Sequence, residues 1–184
     1  TNDIITTSDR MLLLIKDLLD INAIEQGLMK FNIESFDLLE NLSSICDIYT
    51  QTANLKQIKL HFDPKDDSYI IHSDRRAITQ ILDNLLSNAI KFSPFGKNII
   101  LEILDFENKI QISVLDEGPG ISSEDMLKLF GKFTKLSALP TADESSTGLG
   151  LSIAKQYVEA LCGKIWCESI LGQGAKFIFE LPKS

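Results

Sequence analysis

Asn84, Asn88 and Lys91, with Gln80, share one flank of a helix-like stretch, Gln80–Pro94 (QILDNLLSNAIKFSP). At about 100° per residue, Ile78, Ile81, Leu82, Leu85, Ala89 and Phe92 form an apolar stripe beside that flank. A solvated flank would carry Glu, Lys and Arg. Two asparagines one turn apart in mid-helix lower helix propensity, because each amide competes for its own backbone, so they ask for a ligand or a buried partner. Two satisfied amides at the core's edge would suffice as an explanation if this stretch stood alone. Asn88 also offers a neutral carbonyl oxygen, a hard ligand suited to Mg²⁺, and Lys91 can neutralise phosphate charge.

Two further groups follow. Asp116 ends a strand-like run and precedes Gly118-Pro119-Gly120. A carboxylate there can accept from an exocyclic amine such as that of adenine, and residues without Cβ allow a base to approach the backbone. A purely conformational turn would use the same residues. Thr147-Gly148-Leu149-Gly150 opens a helix, with Thr147 a fair N-cap, and free N–H groups at a helix start suit phosphate. A glycine turn plus cap accounts for it equally well. No Walker loop and no Rossmann fingerprint is present. Lys132 and Lys135 precede a polar loop and could reach a terminal phosphate, although Lys132 reads better as a surface lysine. His61 and His72 lie in strand-like runs and read as structural.

The elements that must position these residues follow from periodicity. Apolar positions recur at helical spacing from about Asp3 to Gln26, with Gly27 as a stop. That helix either packs on its own domain or belongs to a dimerisation hairpin whose other half is missing, and the width of its stripe favours the hairpin. Leu28–Ile33 alternates as a short strand, and Ser35 or Asp37 can cap a helix running to about Lys56. Ile58–Phe62 and Tyr69–His72 read as strands around the turn at Asp63–Asp67. After the Gln80–Pro94 helix come a hairpin (Asn98–Phe106 and Lys109–Asp116) and a short helix at Ser123–Leu129. Leu136–Ser146 has no period and is long enough to suggest a mobile lid. Gly148–Leu161 is again helical, and Lys164–Ser169 with Ala175–Leu181 closes the chain as a hairpin.

Composition restricts the function. With 184 residues the chain holds one core plus an appendage, and 44% hydrophobic with 24% charged residues describes a globular protein. A net charge of −8 argues against a general nucleic-acid or acidic-membrane binder. Cys46, Cys162 and Cys167 lack metal-ligand spacing and read as incidental thiols in a reducing compartment. No run is long enough to span a bilayer, and the abrupt helical beginning suggests a piece of something longer.

Taken together and in this order, the motifs resemble the ATP-binding catalytic domain of sensor histidine kinases, of the superfamily shared with DNA gyrase, the ninety-kilodalton heat-shock chaperone and MutL. Asn84–Pro94 is similar to the N box, Asp116–Gly120 to the G1 box, Phe130 and Phe133 to the F box, Thr147–Gly150 to the G2 box, and Gly172–Gly174 to a final glycine pair. LIKDLLDINAIEQG resembles the second helix of the family's dimerisation and phosphoacceptor domain. The resemblance implies an α+β fold, a two-layer α/β sandwich whose mixed sheet has helices on one face, preceded by one long helix. Residues 1–30 would then be the incomplete dimerisation domain and 31–184 the catalytic domain.

The resemblance further implies Asn88 on Mg²⁺, Asp116 on adenine and Lys91 on phosphate. Asn84, Gly118, Gly120, Ile121, Phe133, Thr147, Gly148, Leu149, Gly150 and Leu151 would complete the ATP site, with Lys135, where relatives carry Arg, completing the catalytic set of Asn84, Asn88 and Lys91. ATPases of the superfamily carry Glu where this chain has Asn84. An amide cannot take a proton from water, whereas a neutral imidazole nucleophile needs no strong base, so phosphoryl transfer to histidine fits better than hydrolysis. Neither His61 nor His72 has the acceptor's surroundings, which places the acceptor histidine outside this chain. The implied partners are that acceptor helix, a response regulator and a second subunit joined through the first helix, in a cytoplasmic setting with any membrane anchor elsewhere in the parent protein. The competing readings are a non-catalytic ATP-binding scaffold, which would show broken motifs, and an ATPase or serine kinase of the same superfamily, which would want an acid at Asn84.

Overall fold

The structure, a computed structural model, describes residues 2–134, 136–141 and 147–183; for residues 2–10, 13 and 14 it describes the backbone alone. Lys135 and residues 142–146 of the expected lid lie outside the described residues. In chain order the elements are α1 (Asn2–Glu25), β1 (Glu34–Asp37), α2 (Leu38–Leu55), β2 (Lys59–Phe62), β3 (Ile70–Ser73), α3 (Arg75–Phe92), β4 (Asn98–Asp105), β5 (Lys109–Asp116), α4 (Ser123–Met126), α5 (Gly150–Ala160), β6 (Lys164–Ser169) and β7 (Ala175–Pro182).

Five strands form one mixed sheet in the order β2-β4-β5-β7-β6, with β2 parallel to β4 and the other pairs antiparallel. Alternation along the strands divides its two faces. Across the register, Leu101, Val114, Phe177 and Cys167 make one row, and Ile103, Ile112, Phe179 and Ile165 make the next. This is the core face, where α2, α3 and α5 pack. The opposite face carries Glu102, Ser113 and Lys176, with Lys176 Nζ 2.7 Å from Glu102 Oε2. The expected two-layer sandwich is therefore present, and Asp116 falls on the core face, in register with Ile99 and Ala175.

Several local expectations are corrected. Residues 28–33 form no strand: Leu28 and Met29 both donate to the Ala23 carbonyl as the chain leaves α1, and pairing begins only at Glu34. Asp37, not Ser35, caps α2, its Oδ1 accepting from Leu39 N at 2.9 Å and from Tyr69 N at 3.0 Å. The strands flanking Asp63–Asp67 do not pair with each other, because β2 joins the large sheet while β3 pairs with β1 in a two-stranded ribbon. The helix after Ser122 ends at Met126, three residues early. Among the described residues, no helix is long and apolar enough to cross a membrane.

Candidate nucleotide site

Helix α3 is fixed at both ends before any ligand is considered. Asp74 caps it, Oδ1 accepting from Ala77 N at 2.9 Å while Oδ2 accepts from Asn32 N at 2.6 Å. Ser93 ends it in an extended conformation, as the residue before Pro94 must be. Ile78, Ile81, Leu82, Leu85 and Leu86 are fully buried, which sets the rotation of the helix and turns the Asn84, Asn88 and Lys91 flank toward α5.

Between α3, the end of β5 and the start of α5 lies a cavity of about 630 Å³. Asn84, Asn88 and Lys91 line one side, Asp116, Gly120 and Ile121 another, and Thr147, Gly148, Gly150 and Leu151 a third. These ten residues, expected from sequence to share a site, are brought together. Three others are not: Gly118 faces an adjoining hollow, Leu149 is fully buried beneath α5, and Phe133 is exposed with a φ of 56°. Lys135 lies outside the described residues. The reading also missed lining residues. Phe177 and Ala175 were legible in principle, since β7 pairs with β5 and places Ala175 opposite Asp116. Asp17, reaching the cavity from α1, left no signal in the sequence.

Asp116 is 5% exposed, and its two hydrogen bonds both run to Oδ1, from Gly118 N at 2.8 Å and Ala175 N at 3.3 Å. Oδ2 therefore remains able to accept from a ligand in the cavity. Burial pushes the carboxyl pKa up to about 6, against the lowering effect of those two donors. Asn84 is held differently: its Nδ2 donates to the Gln80 carbonyl at 2.9 Å, one turn back. The Asn88 side chain makes no hydrogen bond to the described residues and lines the cavity half-buried, an amide open to a ligand.

The glycines have reasons of their own. A Cβ on Gly120, whose φ is +70°, would stand 2.2 Å from the Ile170 carbonyl oxygen, so this position makes room for protein backbone. A Cβ on Gly150 would lie 2.8 Å from Asn84 Oδ1, so here the missing side chain lets α5 approach α3 at the cavity wall. Thr147 does not cap α5: the helix begins at Gly150 with Leu149 as N-cap, and Thr147 Oγ1 accepts only a 3.3 Å bond from Leu149 N. Asp17, which α1 adds to the lining, is half-buried, and its pKa is raised by burial and by the neighbouring Asp20 charge, against Lys16.

Residues 73–184 match the model of the "Histidine kinase-, DNA gyrase B-, and HSP90-like ATPase" family. The chain is 36% identical over 177 residues to the sensor histidine kinase WalK of Bacillus subtilis, covering 95% of this chain and 29% of WalK. It superposes on full-length ShkA, solved with AMPPNP, at a TM-score of 0.85 and 26% identity, over 96% of this chain and 36% of ShkA. On the histidine kinase ThkA, solved with the response regulator protein TrrA, the TM-score is 0.78 at 26% identity, over 100% of this chain and 50% of ThkA. The chain thus spans under a third of the length of WalK. This chain belongs to the histidine kinase-, DNA gyrase B- and HSP90-like ATPase family, and its relatives there are sensor histidine kinases.

Proposed function

We propose that this chain binds Mg·ATP in the cavity between α3 and α5 and works as the catalytic part of a sensor histidine kinase, passing the γ-phosphoryl group to a histidine outside the chain for relay to a response regulator. The observation that carries the reading is the convergence of a buried, half-engaged carboxylate (Asp116), an open amide (Asn88) and an ammonium (Lys91) on one cavity wide enough for a nucleotide. Asp116 Oδ2 accepts from the adenine amine, Lys91 meets phosphate charge, and Gly148 and Gly150 leave the backbone open to the phosphates. Residues 1–30 are the second helix of a dimerisation and phosphoacceptor domain, and 31–184 the catalytic domain. ATP, the acceptor helix, a response regulator and a second copy joined through α1 are its partners.

The donor set suits Mg²⁺. Among the described residues no cluster of three or more His, Cys, Asp or Glu could hold a metal, whereas one neutral amide oxygen beside phosphates matches an ion that keeps most of its waters. Bound through Asn88, Mg²⁺ would supply neutralisation of phosphate charge. The chain itself contributes placement: the acceptor imidazole nitrogen bonds to the γ-phosphorus as the β–γ bridging oxygen leaves with ADP. Asn84, tied to the Gln80 carbonyl, has no lone pair basic enough to activate water, which favours transfer over hydrolysis.

Calorimetric titration with a non-hydrolysable ATP analogue, with and without Mg²⁺, tests this directly. Binding should strengthen with Mg²⁺ and disappear in Asp116→Asn. No binding at millimolar analogue would overturn the reading.

A further inference from the structure

Lys56 stands at the C-terminus of α2, far along the chain from every motif discussed above, and is 5% exposed. Its Nζ donates to the Ile90 carbonyl at 2.9 Å, to the Lys91 carbonyl at 3.2 Å and to Thr141 Oγ1 at 2.9 Å. The first two acceptors belong to the last turn of α3, where carbonyls lack helical partners and the helix dipole favours a cation. The third belongs to the segment 136–141, in which Leu136, Ala138, Leu139 and Pro140 form a wall of the nucleotide cavity.

Thr141 repeats the connection. Its backbone N donates to the Lys91 carbonyl at 3.1 Å, and its hydroxyl lies 3.0 Å from both the Lys91 and Ser93 carbonyls. The lysine itself has little freedom to follow a moving partner. Its backbone N–H reaches the Ala53 carbonyl, and its own carbonyl accepts from Gly96 N, so α2, the α3–β4 turn and the cavity wall meet at one buried residue.

We propose that Lys56 is a positioning residue for the nucleotide site. It locks the 136–141 wall onto the C-terminal turn of α3, so that Lys91 and the wall face the ligand in one fixed arrangement. The proposal rests on the nucleotide-binding reading above. It assigns Lys56 no contact with the nucleotide; its effect passes through Thr141 and the α3 carbonyls. Breaking a buried bond to a charged donor weakens whatever that bond positions, here by about tenfold in nucleotide affinity.

The test compares Lys56→Met, which keeps the stem and removes the ammonium, with Thr141→Val and Thr141→Ser, titrating each with a non-hydrolysable ATP analogue at 10 °C. Thermal unfolding without nucleotide shows which variants are folded. Lys56→Met and Thr141→Val should each weaken binding about tenfold, the double variant should lose no more than the weaker-binding single one, and Thr141→Ser should restore affinity to within about twofold. A residue that only supported the fold would lower the melting temperature and leave affinity untouched. Should Lys56→Met fail to fold, the Thr141 pair decides the matter. Wild-type affinity in folded Lys56→Met or in Thr141→Val, or losses that simply add, would overturn the proposal; absence of binding by the unaltered chain would instead overturn the nucleotide reading itself.

Discussion

A carboxyl group enclosed as Asp116 is, 5% exposed and with its pKa raised to about 6 chiefly by burial, holds its proton more tightly in the folded chain than in the unfolded one. The sign of the consequence is fixed by linkage: between the ordinary value of 3.8 and about 6 the folded state binds the extra proton, so stability falls as pH rises through that window. Complete ionisation then costs on the order of 3 kcal/mol. Asp116→Asn removes the ionisation yet keeps a carbonyl oxygen for Gly118 N and Ala175 N. Thermal unfolding of the two proteins from pH 4 to pH 8 should show them alike near pH 4 and the variant the more stable above pH 6. A gap that does not vary with pH would mean that Asp116 bears no burial penalty. Stability given up for ligand binding is the expected exchange at a functional site. Asp116 was legible in the sequence only through its company: a strand-ending Asp before glycines serves any turn, but here it follows the Asn84–Lys91 flank and precedes Thr147–Gly150. Asp17 was not legible, because its position depends on how a whole helix docks.

Between elements, the decisive spacing is that of α3 and α5. Gly150 is the first residue of α5, and alanine there would be worth up to about 1 kcal/mol in helix propensity. The added Cβ, however, would stand 2.8 Å from Asn84 Oδ1, and Asn84 is itself held by the Gln80 carbonyl. The two effects oppose each other in stability but not in function. Gly150→Ala should therefore leave the melting temperature within a few degrees of the parent and weaken binding of an ATP analogue severalfold, as read by calorimetry. Unchanged affinity would show that the approach of the helices is not what sets the cavity wall. The elements bearing the site were legible because their periods are unmistakable: α3 by its stripe, the β4–β5 and β6–β7 hairpins by alternation interrupted by turn residues. Residues 28–33 misled because alternation over six residues does not require a partner strand, and Leu28, 68% exposed, has none to cover it. Nor can local pattern say that β2 and β3, neighbours in sequence, pair in different sheets, since that choice is made by β4 and β1.

At the scale of the molecule, the question is whether α1 belongs to the same cooperative unit as the nucleotide site. Its patterning left two options open, and the structure shows features of both. Met11, Leu12, Ile15 and Leu19 are exposed, while Ile21 is buried against the core near α5. Around that contact, Glu25 Oε1 lies 2.5 Å from Lys132 Nζ and 3.0 Å from Gln156 Nε2, and Tyr157 of α5 meets Phe31 edge-on. Lys132, which read as a surface lysine, is thus engaged with α1. The Glu25 bridge is half-exposed, so its contribution is below about 1 kcal/mol. Truncating the buried Ile21 costs more, roughly 2 kcal/mol or above. Hydrogen exchange should then separate the two variants. Glu25→Ala should leave protection in residues 11–25 nearly unchanged, whereas Ile21→Ala should speed exchange there while α3 and β5 keep their protection, the behaviour of a helix that can leave its domain without unfolding it. If Ile21→Ala instead lowered protection equally in α1, α3 and β5, the helix would be part of the catalytic core, and Asp17 would be a permanent wall of the cavity. If α1 alone loosens, the carboxylate that Asp17 presents to the cavity leaves with it, and its docking and nucleotide binding become linked equilibria.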